Sequence, residues 1–255
     1  MTRTGRPQSG QTLTEALLSA WEQADGLSPT AQAWALLDAD PGLDAGPLDR
    51  LSTGARNRRL LELRARLFGP QLSSVVECPQ CGERLEFDLM VGELLPAGLD
   101  CPEPDTQAVH EAWDGDLHLT FRLPTLQEVS AASATGELEG ARRHLRRTSL
   151  LRAEQAGVEL NLQADALQVW ALLDREMEAL DPLANLELSL SCPDCGHHWA
   201  APFDVAGYLW TEVRAWGEET LMDVHVLALA YGWPEADILA LSPVRRQRYL
   251  DLLRG

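Results

Sequence analysis

The sequence CPQCG at Cys78–Gly82 returns as CPDCG at Cys192–Gly196. In such a turn the first cysteine ends a strand and backbone N–H groups point at the sulfurs. This favours thiolates over thiols that would otherwise titrate at about pH 8.5. Gly82 and Gly196 permit a backbone conformation that a side chain resists. We call the two turns the first and the second knuckle, and each offers two sulfur ligands.

The sequences on either side of the two knuckles also match. Each knuckle follows a β-rich segment, SSVVE in the first case and LELSLS in the second. Each is followed by a second β-rich segment that ends in Phe-Asp and an apolar residue, at Phe87–Leu89 and at Phe203–Val205. The pattern of strand, knuckle and strand therefore occurs twice.

The two knuckles together supply the ligand set of a structural metal site. Structural zinc takes four ligands in a tetrahedron with no open position. The predicted cofactor is Zn2+, and the predicted ligands are Cys78, Cys81, Cys192 and Cys195. Roughly 110 residues separate the knuckles, whereas ordinary zinc ribbons place theirs ~15–20 residues apart. By analogy with crosslinks, a metal closing so long a loop removes denatured-state entropy worth about 4–5 kcal/mol. The sequence thus predicts one ion that joins two distant parts of the chain.

Two separate metal sites are the rival arrangement. In that case His197 or His198 would complete the second knuckle, and Cys101 or His110 would complete the first. His197 is sterically awkward so close to its knuckle. Cys101 lies in an Asp-Cys-Pro loop and is interpreted as a lone thiol rather than a fifth ligand.

Catalysis at the metal is not expected. Redox dithiols lie where a strand turns into a helix, whereas both knuckles lead into a strand. Catalytic zinc keeps one position open, and four cysteines would fill the coordination sphere. The sequence also has no glycine-rich phosphate loop and no Gly-x-Ser-x-Gly elbow. We therefore predict that the protein is not an enzyme and has no small-molecule substrate.

The charge of the chain limits the choice of partners. The sequence has 39 acidic and 21 basic residues, for a net charge of −18. So negative a surface repels phosphate backbones, which excludes nucleic acid as an expected partner. No segment reaches the ~18 apolar residues of a membrane span, and the first residues lack the apolar core of a signal peptide. We expect no membrane contact and a cytoplasmic location.

Sequence patterns divide the chain into four predicted segments. Residues 1–70 form an N-terminal helical region that contains the amphipathic sequence LSTGARNRRLLELRARLFG. Residues 71–125 carry the first knuckle and a β-hairpin that turns at Asp114-Gly115. Residues 126–185 form a helical insert, interrupted near Gly136 and Gly157. Residues 186–255 carry the second knuckle and C-terminal helices, and 71–255 are expected to fold as one cooperative unit. The predicted fold class is α+β, mostly helical, with a small antiparallel sheet around the four cysteines.

The C-terminal segment is dense in aromatic residues. Core packing is their ordinary role, and a partner contact is the alternative, because Trp, Tyr and Arg are common in binding hot spots. The candidate partner-binding residues are Trp210, Trp216, Tyr231, Trp233, Arg245 and Arg246. The two arginines belong to an RRQR run that would suit an acidic partner.

The chain resembles the baseplate protein family of T4-like phages. In the C-terminal half the resemblance rests on ALDPLANLELSLSCPDCGHHWAAPFDVAGYLWTEV and LALAYGWPEADILALSPVRRQRYLDLL. In the N-terminal half it rests on LSTGARNRRLLELRARLFG, on CPQCGERLEFDL and on the hairpin that ends in FRLPT. It covers roughly residues 50–255, whereas the first ~45 residues match nothing in the family.

The resemblance implies a role without catalysis. Members occur in contractile phage tails and in phage-tail-like contractile injection systems. A baseplate component or a baseplate-hub assembly factor is therefore expected, with other baseplate, hub or tail-tube proteins as partners. Such a chain is either incorporated into the particle or remains outside it. The alternative is a zinc-ribbon regulatory or adaptor protein unrelated to tail assembly.

Overall fold

The computed structural model describes residues 13–40, 48–95, 103–134, 136–161 and 167–254. These residues form helices and small antiparallel sheets, which confirms the predicted α+β, mostly helical class. The helices are α1 (Leu13–Ala24), α2 (Pro29–Asp38), α3 (Thr53–Phe68), α4 (Val91–Leu94), α5 (Leu126–Ser133), α6 (Leu138–Ser149), α7 (Leu167–Leu180), α8 (Val205–Tyr231), α9 (Glu235–Leu239) and α10 (Pro243–Arg254). The strands are β1 (Gln71–Glu77), β2 (Arg84–Met90), β3 (His110–Asp114), β4 (Leu117–Phe121), β5 (Leu150–Gln155), β6 (Val158–Glu159), β7 (Glu187–Ser191) and β8 (His198–Pro202).

Several helices begin where the sequence provides a capping side chain. The hydroxyls of Ser28 and Ser52 accept hydrogen bonds from backbone N–H groups in the first turns of α2 and α3. Thr125 and Glu128 form a capping box at the start of α5. These caps fix the helix starts, because each satisfies an N–H group that has no partner within the helix.

The chain divides into two compact units. One unit consists of Met1–Ala45 together with Val205–Gly255, and the other consists of Gly46–Asp204. This division differs from the four predicted segments because α1 and α2 pack against α8, which is far away in the sequence. The apolar core of this helical unit includes Leu18 of α1 with Leu227 of α8. Although α8 has 27 residues, no helix in the described ranges is long and apolar enough to cross a membrane.

The unit Gly46–Asp204 contains three antiparallel sheets rather than a single one. The knuckle hairpins β1–β2 and β7–β8 are separate two-stranded sheets, and β3–β4–β5–β6 form a four-stranded sheet. Helix α7 packs on one face of the four-stranded sheet, where Leu119 and Phe121 meet Leu172 and Leu173. These four side chains are buried, so the unit has an apolar core that contains no cysteine of the knuckles.

The prediction that residues 126–185 are helical is wrong in one place. The segment LLRAEQ forms β5, which pairs with β4, and β6 follows after a tight turn at Ala156 and Gly157. Both turn residues have positive φ, 51° and 79°, as a two-residue hairpin loop requires. Leu150 and Ala153 face the core of the sheet. Pairing with β4 and burial of these two residues thus override a helix-like sequence.

Candidate metal centre

The two knuckles close hairpins of matching geometry. In the first knuckle the N–H of Cys78 donates to the carbonyl of Glu83 at 2.8 Å, and the N–H of Gly82 donates to the carbonyl of Cys78 at 2.9 Å. The second knuckle repeats both hydrogen bonds at equivalent positions, with lengths of 2.8 and 3.0 Å. Gly82 and Gly196 have φ of 76° and 72°. This left-handed conformation explains the glycine that ends both motifs.

The hairpins bring all four cysteine sulfurs into one cluster. Every sulfur lies within 4.8 Å of the other three. The Sγ atoms of Cys78 and Cys195 are 3.7 Å apart, and those of Cys81 and Cys192 are 3.6 Å apart. Both of these contacts join one knuckle to the other. The four predicted ligands therefore form a single candidate site.

The distances between sulfurs fit a bound ion and exclude disulfides. An ion held tetrahedrally at ~2.3 Å from each sulfur places any two sulfurs ~3.8 Å apart, close to the two contacts between knuckles. A disulfide needs a sulfur separation of about 2.05 Å, and the cysteines are free. Cys78 and Cys192 are buried, whereas Cys81 and Cys195 are exposed. The cluster can thus hold one metal ion between a buried side and a solvent-facing side.

Backbone groups and neighbouring thiols change the acidity of the cysteines. Burial by itself raises the pKa of Cys78, but the backbone N–H groups of Cys81 and Gln80, with the neighbouring thiols, lower this pKa to about 7. At Cys81 the backbone N–H of Glu83 lowers the pKa, whereas burial and the other three thiols raise it to about 12. The neighbouring thiols thus favour a thiolate at Cys78 and oppose one at Cys81. A bound cation removes this opposition, because coordination deprotonates a thiol.

A second group of contacts joins the same two parts of the chain near the start of α3. The N–H of Gly54 donates to Oδ2 of Asp181 at 3.0 Å, and the hydroxyl of Ser52 donates to the same carboxylate. Nδ2 of Asn57 donates to the carbonyl of Leu183 at 2.8 Å. We call these contacts the helix clamp. The bonds of Gly54 and Asn57 are buried, so their loss would leave polar groups without partners.

The helix clamp holds the N-terminal end of α3 against the turn that precedes the second knuckle hairpin. Helix α3 ends at Phe68, just before β1, and the turn Pro182–Asn185 lies just before β7. Gly54 makes the approach possible, because a Cβ at this position would lie 1.9 Å from Oδ1 of Asp181. Sequence reasoning missed this contact. Its one local signal is a glycine in the first turn of a helix, where glycine costs about 1 kcal/mol relative to alanine.

The other candidate ligands lie outside the four-sulfur cluster. The ring of His197 stacks on Trp199 at 5.7 Å, and that of His110 contacts Phe121 at the same distance. His198 is exposed on β8. Cys101 falls outside the described residues. Among those that are described, the clustered metal-binding group is the four cysteines alone, which favours one site over two.

Two of the six predicted partner-binding residues face the interior. Trp210 is 8% exposed, and Arg246 is 6% exposed with an ion pair to Asp223 at 3.3 Å. Trp216 is partly buried against the core of the helical unit. In these positions the side chains of Trp210 and Arg246 stabilise the packing of α8 and α10, so the structure does not present them to a partner.

The remaining three predicted partner-binding residues lie closer to the surface. Tyr231 stacks on Trp233 with a centroid distance of 4.7 Å, and Trp233 meets Tyr249 edge-on at 4.9 Å. Tyr231 is 37% exposed, and Arg245 is exposed at the start of α10. The predicted partner surface therefore reduces to the exposed side of this aromatic group and to Arg245.

Fold and site together define a mostly helical α+β protein with four cysteines arranged to hold a metal ion. Residues 41–150 match the model of the T4 bacteriophage base plate protein family. The match confirms the predicted resemblance and supports a T4-like phage baseplate protein. It includes the first knuckle and the strands β3 and β4, whereas β6 and the second knuckle lie beyond it. The comparisons with curated proteins and with solved structures gave no match.

Proposed function

We propose that the protein is a non-enzymatic baseplate component or baseplate-hub assembly factor of a contractile phage tail or a contractile injection system. The observation that carries this proposal is the family match over residues 41–150. This segment contains Cys78 and Cys81, two of the four clustered sulfurs. A particle role also suits the chain's charge of −18, since contacts with other tail proteins do not need affinity for nucleic acid.

We propose a structural Zn2+ at the four cysteines. The donor set supports this choice, because four thiolates in a tetrahedron suit zinc or iron, and a closed set of four leaves no position for a substrate. Elemental analysis of the purified full chain should give about one zinc per chain. Iron instead of zinc would overturn the identity of the ion but not the site. If the purified chain contains no metal, and if reconstitution with zinc leaves its folding unchanged, both the ion and the site would be overturned.

The proposed partners are other baseplate, hub or tail-tube proteins. The exposed side of the group formed by Tyr231, Trp233 and Tyr249 supports one such contact, since Tyr231 and Arg245 combine an aromatic surface with a free positive charge. An acidic surface on the partner would complement Arg245.

The test is deletion of the gene in its own phage or injection system, followed by electron microscopy and mass spectrometry of purified particles. If the protein is a component, it should be found in the wild-type particles. If it is an assembly factor, it should be absent from the wild-type particles, and the deletion strain should form few or none. Complementation with the Cys101→Ser variant should restore particle yield, and complementation with Cys78→Ser should restore much less. Normal particle yield after deletion would refute the tail role and favour the regulatory alternative.

A further inference from the structure

The outer face of the four-stranded sheet carries an exposed tryptophan. Trp113 of β3 lies opposite His118 of β4, which lies opposite Glu154 of β5, and Glu154 in turn lies opposite Glu159 of β6. Trp113 stacks on the imidazole of His118 at 4.7 Å but remains 60% exposed. Helix α7 covers the other face of the sheet, where Leu119 is fully buried. The exposed indole is therefore separate from the core.

Strand β3 is also an edge of this sheet. Its pairing partner in the sheet is β4, to which it is joined by a two-residue turn closed by the pair Asp114 and Leu117. The pair that closes such a turn exchanges both backbone hydrogen bonds, and bonded and non-bonded pairs then alternate along the strands. The N–H and C=O groups of Trp113 and Glu111 consequently point away from β4. No described residue hydrogen-bonds to them, and they can pair with a further strand.

The surroundings of Trp113 are acidic. Glu154 is held by Arg152 at 2.6 Å and lies 3.4 Å from Nδ1 of His118, so the arginine of this face is already paired. Four further carboxylates are exposed and have no ion pair with any described residue. Glu111 and Asp114 lie on β3 and Asp116 lies in the turn that follows it, whereas Glu159 lies on β6 at the opposite edge of the sheet. The edge of the sheet thus combines free backbone groups, an aromatic face and uncompensated negative charge.

We propose that β3 docks an extended, arginine-bearing segment of a partner protein, which adds to the sheet as a fifth strand. The added strand pairs with the free backbone groups of Glu111 and Trp113, as in recognition by β-strand addition. A guanidinium lies on the face of Trp113 through a cation–π contact and is paired by Glu111, which shares this face of the strand. This site goes beyond the proposed function, because it belongs to a different sheet from the knuckle hairpins and does not depend on the kind of particle.

A second copy of the chain is a poorer occupant than a basic segment. Pairing of β3 with β3 of another copy would bring Glu111 and Asp114 of both chains together, and like charges on neighbouring strands are destabilising. The same carboxylates repel the phosphates of a nucleic acid. A positively charged segment instead gains from every carboxylate at this edge.

The experiment uses the full zinc-loaded chain and a synthetic probe peptide of alternating arginine and valine, six residues long. Titration into 15N-labelled protein should give saturable shifts, largest at the backbone amides of Glu111 and Trp113, with slower hydrogen exchange at these two amides. A peptide with glutamate in place of arginine should not bind. A peptide with N-methylated valines, which cannot pair as a strand, should also fail.

Variants separate this site from a general attraction between charges. Trp113→Ala should weaken binding about tenfold, the change expected for one cation–π contact, and Glu111→Gln with Asp114→Asn should weaken it and reduce its salt dependence. Leu138→Ala is the matched control, since Leu138 is 81% exposed on α6, and it should leave binding unchanged.

Three outcomes would overturn the proposal. Equal binding of the N-methylated peptide would exclude strand addition, and unchanged binding by a folded Trp113→Ala variant would exclude the cation–π contact. Absence of binding at millimolar peptide would refute the docking site. The carboxylates would then serve to protect the edge strand against aggregation. Concentration-dependent dimerisation abolished by Trp113→Ala would instead identify a second copy as the occupant.

Discussion

The sulfur cluster and the helix clamp join the same two parts of the chain by different physical means. The cluster brings Cys78 to Cys195, and the clamp brings Gly54 to Asp181. The four sulfurs form a stable joint only around a cation, which keeps them as thiolates. The hydrogen bonds of the clamp are complete without any added ion. The comparison indicates that the clamp fixes the start of α3 against the turn before β7, whereas a metal locks the tips of the two hairpins.

This difference separates the protein from small zinc domains. A zinc finger has little apolar core and unfolds without its metal. The unit Gly46–Asp204 has a core around Leu119 and Phe121 in addition to the clamp. We therefore expect loss of metal to loosen the β1–β2 and β7–β8 hairpins and to lower the stability of the unit, while the four-stranded sheet persists.

Cys78→Ser is expected to have the largest effect. It removes one of four ligands, so the chain should lose most of its bound zinc and up to about 4–5 kcal/mol of unfolding free energy, the value for closing a loop of ~100 residues. Both knuckle hairpins should lose protection from hydrogen exchange, including the distant one. Metal analysis, denaturant unfolding and hydrogen exchange measure the three effects.

Two further variants make this prediction sharper. Cys101→Ser changes the one cysteine outside the two knuckles and should retain zinc and stability. The double variant Cys78→Ser with Cys192→Ser should be no less stable than either single variant, because both changes abolish the same site. Additive losses, with one zinc equivalent still bound in each single variant, would show two independent sites and refute the shared one.

Gly54→Ala tests the clamp with the sulfur ligands intact. A Cβ at this position would lie 1.9 Å from Oδ1 of Asp181, so the clamp must open, at a cost of about 1–3 kcal/mol for overpacking. The protein should still bind zinc, with weaker affinity. Denaturant unfolding of the zinc-loaded and metal-free forms measures both effects.

Gly140→Ala is the matched control for Gly54→Ala. Gly140 also lies in a helix, but its nearest neighbour is the flexible carboxylate of Glu137 at 3.3 Å. Alanine there should be neutral or stabilising by up to about 1 kcal/mol. If Gly54→Ala were equally harmless, the helix clamp would not contribute to the stability of the fold.

Asp181→Asn tests the electrostatic part of the clamp. Burial raises the pKa of Asp181 above its usual 3.8, although hydrogen bonds from Gly54 and Ser52 partly offset this. The native state therefore binds this proton more tightly than the unfolded state. Stability falls as the pH rises from 3.8 through the higher folded pKa, and the penalty is complete above that pKa. Asp181→Asn should therefore reduce the change in unfolding free energy over this pH range.

The pH profile should be measured on metal-free protein, since zinc binding to thiolates has its own pH dependence of opposite sign. The expected change is smaller than that of Gly54→Ala, because asparagine can still accept the hydrogen bond from the N–H of Gly54. A slope between pH 4 and 7 that is identical in the variant and the parent chain would show that Asp181 does not cause it.

Glu128→Gln tests a local ion pair, that of Glu128 with Arg122, for comparison with the sulfur cluster and the helix clamp. The hydrogen bond from Arg122 lowers the pKa of Glu128 to about 2, with further help from the capping box at Thr125. This carboxylate contributes stability above its unfolded pKa, and the contribution is lost as the pH falls through about 2. Because the pair is partly solvated, the effect should be about 0.5 kcal/mol at neutral pH.

Acid unfolding curves measure the contribution of Glu128. Glu176→Gln is the control, since the pair Arg175 and Glu176 is exposed and adjacent in the sequence, and it should change stability by less than Glu128→Gln. Equal effects of the two variants would mean that the ion pair of Glu128 adds nothing beyond ordinary surface charge.

Local signals in the sequence predicted the local structure well. The C-P-x-C-G turns, their flanking strands and the caps at Ser28 and Ser52 are all present, because each depends on residues only a few positions apart. The same reasoning failed at β5 and β6. There the strand conformation of Leu150–Gln155 depends on pairing with β4, a contact that a helix-like local pattern does not record.

The sequence by itself determined that this protein has two knuckles with four thiol ligands, since the chemistry of a knuckle lies within five consecutive residues. Only the tertiary structure decided that the four sulfurs meet at one point, that Gly54 contacts Asp181, and that Trp113 remains exposed at a sheet edge. The physical reason is distance along the chain. Packing between remote segments depends on complementary surfaces and on the free energy summed over many contacts. Neither is encoded in any short stretch of residues.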